Sequence, residues 1–102
     1  MVRVAWTGRL RPNKVDAYVE AHVNVWPDVV EAIRAAGMRD YSEFLLGDQV
    51  FVTYECDDTS EALAVEEAAE ATQRWRAWMR DMFDEEVALH GPTWMKEVFR
   101  LE

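Results

Sequence analysis

Tyr41-Ser42-Glu43-Phe44-Leu45-Leu46-Gly47-Asp48-Gln49-Val50-Phe51-Val52-Thr53-Tyr54-Glu55-Cys56 reads as two strands joined by a two-residue turn. Glycine at the first central position suits a type II′ hairpin, whose twist matches that of the strands it joins. Strands 41–46 and 49–56 are therefore antiparallel neighbours, and the flanking sequence has to pack against them. Before the hairpin, Val2 to Leu10 alternates, with Val2, Val4, Trp6, Gly8 and Leu10 on one face and Arg3, Ala5, Thr7 and Arg9 on the other, a further strand. Helical sequence fills the interval: Asn13 is the expected N-cap with Asp16 three residues on, and Gly37 a good C-terminal cap. Pro27 lacks an amide hydrogen and disfavours helical geometry at Trp26, so that helix should kink or restart there, with Asp28 in a new first turn. Beyond the hairpin, Asp57-Asp58-Thr59-Ser60 is a turn ending in a helix cap, and Ser60 to about Phe83 is a second helix. A loop from Asp84 to Thr93 leads to an alternating strand from Trp94 to Leu101.

This order, β-α-β-β-α-β, predicts an α+β fold of the ferredoxin-like, split βαβ type, with both helices on one face of a four-stranded antiparallel sheet. Neither strand face is clearly polar: Val50, Val52, Tyr54 and Cys56 lie opposite Phe51, Thr53 and Glu55, and Met95, Phe99 and Leu101 lie opposite Trp94 and Val98. A sheet apolar on both sides needs a second cover, so a homodimer packed sheet to sheet, a dimeric α+β barrel, is expected.

With 102 residues, 50% hydrophobic and 30% charged, the chain is expected to be one globular domain, residues 1–102. A net charge of −9 repels phosphate backbones and anionic lipid, so neither nucleic acid nor a membrane is expected as partner. No apolar run approaches the ~20 residues of a membrane span and no signal-peptide core is evident, so a cytoplasmic protein is expected. Cys56 is the only cysteine, and two histidines without His-x-x-x-His spacing make a zinc site improbable. Gly-rich phosphate loops are missing, so neither a metal nor a nucleotide cofactor is expected.

Chemistry concentrates in Tyr18-Val19-Glu20-Ala21-His22-Val23-Asn24-Val25-Trp26-Pro27. At about 100° per residue Val15, Tyr18 and His22 share one helix face, pointing an imidazole and a phenol inward among apolar groups. A histidine there is either a core residue satisfied by a neighbouring oxygen or, with Tyr18 one turn away, half of a proton-transfer pair. Trp26 lies at the mouth of the cavity that His22 faces, or packs in the core. Trp75, Trp78, Met79 and Met82 recur at i, i+3, i+4 and i+7, ordinarily a core stripe; flanked by Arg74 and Arg76, the indoles also describe a platform for stacking a sugar. Tyr41 opens its strand as a half-buried tyrosine. His90 is taken as exposed and without a role.

Carried by Tyr18-x-x-x-His22-x-x-Val25-Trp26-Pro27, Gly37-x-x-Asp40-Tyr41-Ser42, Gln73-Arg74-Trp75 and Met79, the chain resembles the L-rhamnose mutarotase family over nearly its whole length. The resemblance implies cofactor-free interconversion of the α and β anomers of L-rhamnose or a related monosaccharide. By matching position it implies His22 as catalytic proton donor and Tyr18 and Tyr41 as residues touching the sugar. The family usually has two adjacent tryptophans in its pocket; here the first is Trp75 and the second position is Arg76. In that scheme Trp75 stacks on the ring, Tyr41 and Arg76 hold hydroxyls, Trp26 borders the pocket, and the anomeric hydroxyl proton goes to Tyr18, a water or a carboxylate not evident from sequence. Two other readings of the same residues are a dimeric α+β barrel oxygenase or cyclase acting on an aromatic or polyketide ligand, and a sugar-binding module without catalysis.

Overall fold

The computed structural model describes residues 1–101. Four strands, β1 (Val2–Arg9), β2 (Arg39–Leu46), β3 (Gln49–Cys56) and β4 (Thr93–Met95), form one sheet in the order β2-β3-β1-β4 with every pair antiparallel. This is the strand order of the ferredoxin-like α+β fold expected from the hairpin. Gly47, at φ +62°, makes the turn between Leu46 and Gln49, a conformation that costs glycine nothing.

Helices cover one face only. In β1 and β3, Val4 pairs with Tyr54, Trp6 with Val52 and Gly8 with Val50, and these side chains meet the helices over a core that includes Leu10, Tyr18, Met38, Cys56, Met79 and Met82. A Cβ on Gly8 would stand 3.1 Å from the Val87 side chain, closer than ordinary van der Waals contact, so the glycine lets that side chain lie close against the sheet.

The first helical stretch restarts where Pro27 requires. Helix α1 (Val15–Ala21) ends at His22, and α2 (Pro27–Ala35) begins with the proline in its first turn. Gly37, at φ +79°, closes α2: its amide donates to the Arg34 carbonyl at 2.9 Å and that of Met38 to Ile33 at 3.3 Å, the paired bonds of a Schellman cap. Asn13 does not cap α1. It lies in a 3₁₀ turn, Pro12–Lys14, whose geometry begins with the proline, so no side-chain cap is made.

Four expectations for the C-terminal half are corrected. The helix expected from Ser60 to Phe83 is two helices, α3 (Thr59–Ala68) and α4 (Glu70–Met79), followed by a 3₁₀ turn, Arg80–Met82. The break is at Ala69, extended at φ −71°, ψ 130°. An unbroken helix would carry buried Glu66 and buried Met79, 13 residues apart, on faces about 140° apart; the break turns both inward. Asp58, not Ser60, caps α3, its carboxylate accepting the Glu61 amide at 2.9 Å. The expected loop contains α5 (Glu85–His90), capped by Asp84 through the Val87 amide at 3.0 Å. The last strand, expected to reach Leu101, pairs only over Thr93–Met95. Beyond it the chain runs unpaired, and Arg100 ties it back through the Met1 carbonyl at 3.3 Å and Glu55 at 3.6 Å.

Candidate functional site

Tyr18 and His22, four residues apart, meet at the end of α1 with ring centroids 4.3 Å apart. The helix closes tightly there, the His22 amide donating to the Val19 carbonyl at 3.1 Å, which leaves the Tyr18 carbonyl free. The imidazole takes it: Nδ1 lies 2.7 Å from that oxygen and, facing a pure acceptor, must carry the proton. Nε2 then points at Glu43 Oε1, 3.3 Å away on β2. Glu43 stands opposite Val52 and so shares the helix-covered face of the sheet.

A neutral ring with its proton on Nδ1 would present a bare lone pair at Nε2 to this carboxylate. Protonation removes that repulsion. Burial pulls the His22 pKa down, but the hydrogen bond that the ring donates to Glu43, the Tyr18 carbonyl and the Glu43 charge outweigh it, and the net shift is upward from 6.5. The same carboxylate oxygen accepts from Tyr18 Oη. Burial, then Glu43 by charge and hydrogen bond, pushes the Tyr18 phenol far above its ordinary value, so Tyr18 is a neutral donor at physiological pH.

Three indoles flank this set. Trp75 on α4 stands edge-on to His22 at 5.6 Å, and Trp26, released from helical geometry by Pro27, stands edge-on to Trp75 at 4.9 Å. Trp78 stacks on Trp26 at 5.2 Å, nearly half exposed. Arg74 holds the arrangement from outside, its guanidinium 5.9 Å over the Trp26 ring and paired with Asp28. Both helices therefore supply one wall.

Arg76, one residue on from Trp75, does not stand free. It pairs with Glu66 at 3.0 Å and Glu67 at 3.4 Å. Tyr41 stacks almost parallel on Tyr54, centroids 5.6 Å apart. Burial, then Glu43, Glu66 and Tyr54, raises the Tyr41 pKa far above normal while Arg76 opposes them. Tyr41 thus feels the His22–Glu43 pair on one side and the Glu66–Arg76 pair on the other.

A cavity of about 330 Å³ opens at the β2 edge, lined by Tyr18, Val19, His22, Val23, Glu43, Phe44 and Leu45. A second, of similar volume, lies between α5 and β1, where His90 is among the lining residues with Arg9, Asp84 and Glu86; no Phe, Tyr or Trp lines it. Among the described residues no group of three or more His, Cys, Asp or Glu is placed to hold a metal ion, and no helix is long and apolar enough to cross a membrane.

Of the residues singled out from sequence, Tyr18, His22, Trp26 and Trp75 come together directly. Tyr41 stacks on Tyr54 and Arg76 pairs with Glu66 and Glu67, and neither they nor Trp26 and Trp75 line the cavity at the β2 edge. Glu43, Tyr54 and Glu66 escaped the sequence reading. Glu43 left one usable signal: it stands two residues from Tyr41 in a strand and so shares its face. Glu66 stands in an acidic run with Glu61, Glu67 and Glu70, a pattern that reads as a solvated face.

Fold and site together define a ferredoxin-like α+β protein with an acid–base cluster under its helices. A family model described as L-rhamnose mutarotase matches residues 3–101. An L-rhamnose mutarotase from Burkholderia orbicola is 33% identical over 84 residues, covering 80% of each chain. Among solved structures, an L-rhamnose mutarotase from Formosa agariphila superposes with a TM-score of 0.78 at 23% identity over the full length of both chains. A tetracenomycin F2 cyclase from Streptomyces glaucescens shares the fold at a TM-score of 0.64 and 16% identity, covering 100% of this chain and 98% of that one. The chain belongs to the L-rhamnose mutarotase family.

Proposed function

We propose that this chain is a cofactor-free sugar mutarotase, an isomerase interconverting the α and β anomers of L-rhamnose or a related monosaccharide. Mutarotation requires one group to protonate the ring oxygen and another to take the anomeric hydroxyl proton. His22, with Nδ1 committed to a carbonyl and its pKa raised, offers Nε2–H as the acid near neutral pH. Glu43 is the base, and Tyr18 stays protonated and steadies the carboxylate by donating to it.

In the forward step the anomeric O–H proton passes to Glu43 while the bond from C1 to the ring oxygen breaks and that oxygen takes the His22 proton. The open-chain aldehyde turns about C1–C2. The ring hydroxyl then attacks the other face of C1, its proton returns to His22, and the carbonyl oxygen recovers a proton from Glu43. In this reading Trp75, edge-on to His22, and Trp26 beside it border the sugar on the helix side, with Tyr41 and Arg76 offered as contacts to its hydroxyls. The same reading takes the protein as a cytoplasmic homodimer associating through its uncovered sheet face.

The observation that carries this reading is the hydrogen-bonded set of Tyr18, His22 and Glu43 beside Trp75. Magnetisation-transfer NMR on equilibrated L-rhamnose tests it: the protein should speed anomer exchange, and His22→Gln should lose about 10²–10⁴ of that acceleration. Exchange at the spontaneous rate with rhamnose and with other aldoses would overturn the proposal. Tight binding of an aromatic ligand with no sugar exchange would favour the chemistry of the cyclases instead.

A further inference from the structure

Tyr18, His22 and Glu43 give the cavity at the β2 edge its polar groups, and its other lining residues, Val19, Val23, Phe44 and Leu45, are apolar. Val19 is 49% exposed and Val23 65%, so neither side chain is taken up by the core. Both belong to the end of α1 that carries the imidazole: the His22 amide donates to the Val19 carbonyl at 3.1 Å and the Val23 amide to the Glu20 carbonyl at 3.2 Å. They also occupy positions that the pattern Tyr18-x-x-x-His22-x-x-Val25-Trp26-Pro27 leaves open, so what they select is a property of this chain rather than of the motif.

The connectivity of a pyranose decides which part of a sugar meets them. With Glu43 on the anomeric hydroxyl and His22 on the ring oxygen, the anomeric carbon lies toward β2 and C5 toward α1. The substituent on C5 is two bonds from the ring oxygen, so it falls beside His22, against the residues that flank the imidazole. Neither valine side chain donates or accepts a hydrogen bond. A methyl group there buries apolar area and loses no bond to water. A hydroxymethyl group gives up hydration without a replacement partner, and a bare hydrogen leaves the valines wet.

We propose that Val19 and Val23 are specificity-determining residues of this site and hold the methyl group of a 6-deoxy sugar. This assignment rests on the mutarotase reading and adds to it the contacts that choose the substrate. L-lyxose, L-rhamnose and L-mannose share the configuration of C2 to C4 and carry hydrogen, methyl and hydroxymethyl on C5, so the series varies that one group. By exchange NMR, kcat/KM should peak at L-rhamnose. It should exceed that for L-lyxose by about fourfold or more, the effect of burying one methyl-sized group, and that for L-mannose by about tenfold or more, because the added hydroxyl is desolvated unpaired.

Val23→Thr keeps the shape of the side chain at an exposed position and adds a hydroxyl. It should lower the ratio of L-rhamnose to L-mannose by about threefold or more, through KM rather than kcat, since the new hydroxyl bonds the one on C6. Val19→Thr should act in the same direction. The ratio is the readout because a change in stability or in the protonation of His22 would alter all three sugars in proportion. A flat series in the wild type, or a ratio that both variants leave unmoved, overturns the assignment, while exchange itself leaves the mutarotase reading standing. An unmoved ratio with altered sedimentation would also overturn it and give the valines to contact with a second copy. Failure to exchange any aldose overturns both.

Discussion

At His22 the charge state is decided by a contest between burial and a carboxylate, and the carboxylate wins. Removing it should reverse the result. In Glu43→Gln the His22 pKa is expected to fall below 6.5, since burial then acts with only the Tyr18 carbonyl opposing it; in the wild type it stands above 6.5, and a ¹³C-edited NMR titration reads both. Because the folded pKa is raised, the stability this pair contributes is fully present below the unfolded value near ~6.5 and is lost as pH rises through the folded value. Urea midpoints should therefore fall with rising pH in that window for the wild type and lose this dependence in Glu43→Gln. Tyr18→Phe removes one donor from Glu43 and keeps the ring that packs on His22, so exchange should drop by less than in His22→Gln; an equal drop would make Tyr18 a proton carrier itself. Tyr18 and His22 were legible as a pair because helix spacing alone brings residues four apart together. Glu43 was not, because no spacing rule connects the end of α1 to an edge strand 21 residues later; the tertiary packing makes that contact.

At the scale of elements, legibility follows how local the cause is. Pro27 lacks its amide hydrogen wherever the chain goes, and Gly47 and Gly37 adopt positive φ because the turn and the cap need it, so the hairpin, the restart of α2 and its end were all readable. The break at Ala69 was hidden because alanine is the best helix former, and only the need to turn Glu66 and the Trp75–Met79 stripe toward one core overrides it. The end of β4 at Met95 was hidden for a similar reason: alternation continues through Leu101, but Val98, Phe99 and Leu101 find no partner strand among the described residues. Gly37 gives a clean test of the local kind. No atom stands within 4 Å of a Cβ built there, so Gly37→Ala carries only the backbone strain of φ +79°. It should cost about 1 kcal/mol in urea unfolding with anomer exchange unaltered. A much larger loss would mean that the Schellman cap does more than close α2.

For the whole molecule, the unresolved demand is the uncovered face of the sheet. Phe51 and Ala5 lie on it with Phe44 and Leu46, the last two more than half exposed, and the unpaired segment after β4 adds Phe99 at 79% exposure and Leu101 at 86%. Arg100 ties that segment back to the Met1 carbonyl and to Glu55 on β3. Such a surface favours association, while a net charge of −9 on each copy opposes it. The two effects respond oppositely to ionic strength. Salt shortens the Debye length to about 10 Å at 0.1 M and screens the repulsion between copies, whereas burial of apolar area is little weakened by it. Sedimentation should therefore find a species of twice 11.9 kDa whose dissociation constant falls as salt rises from about 0.01 M toward about 0.2 M. Leu46→Glu and Phe99→Glu each put a charge into that surface and should give monomers at concentrations where the wild type is dimeric. A dimer that loosens with added salt would place the association on ion pairs such as those of Arg3 and Glu55 rather than on the apolar face, and a monomer at every salt concentration would leave the exposed phenylalanines to another partner.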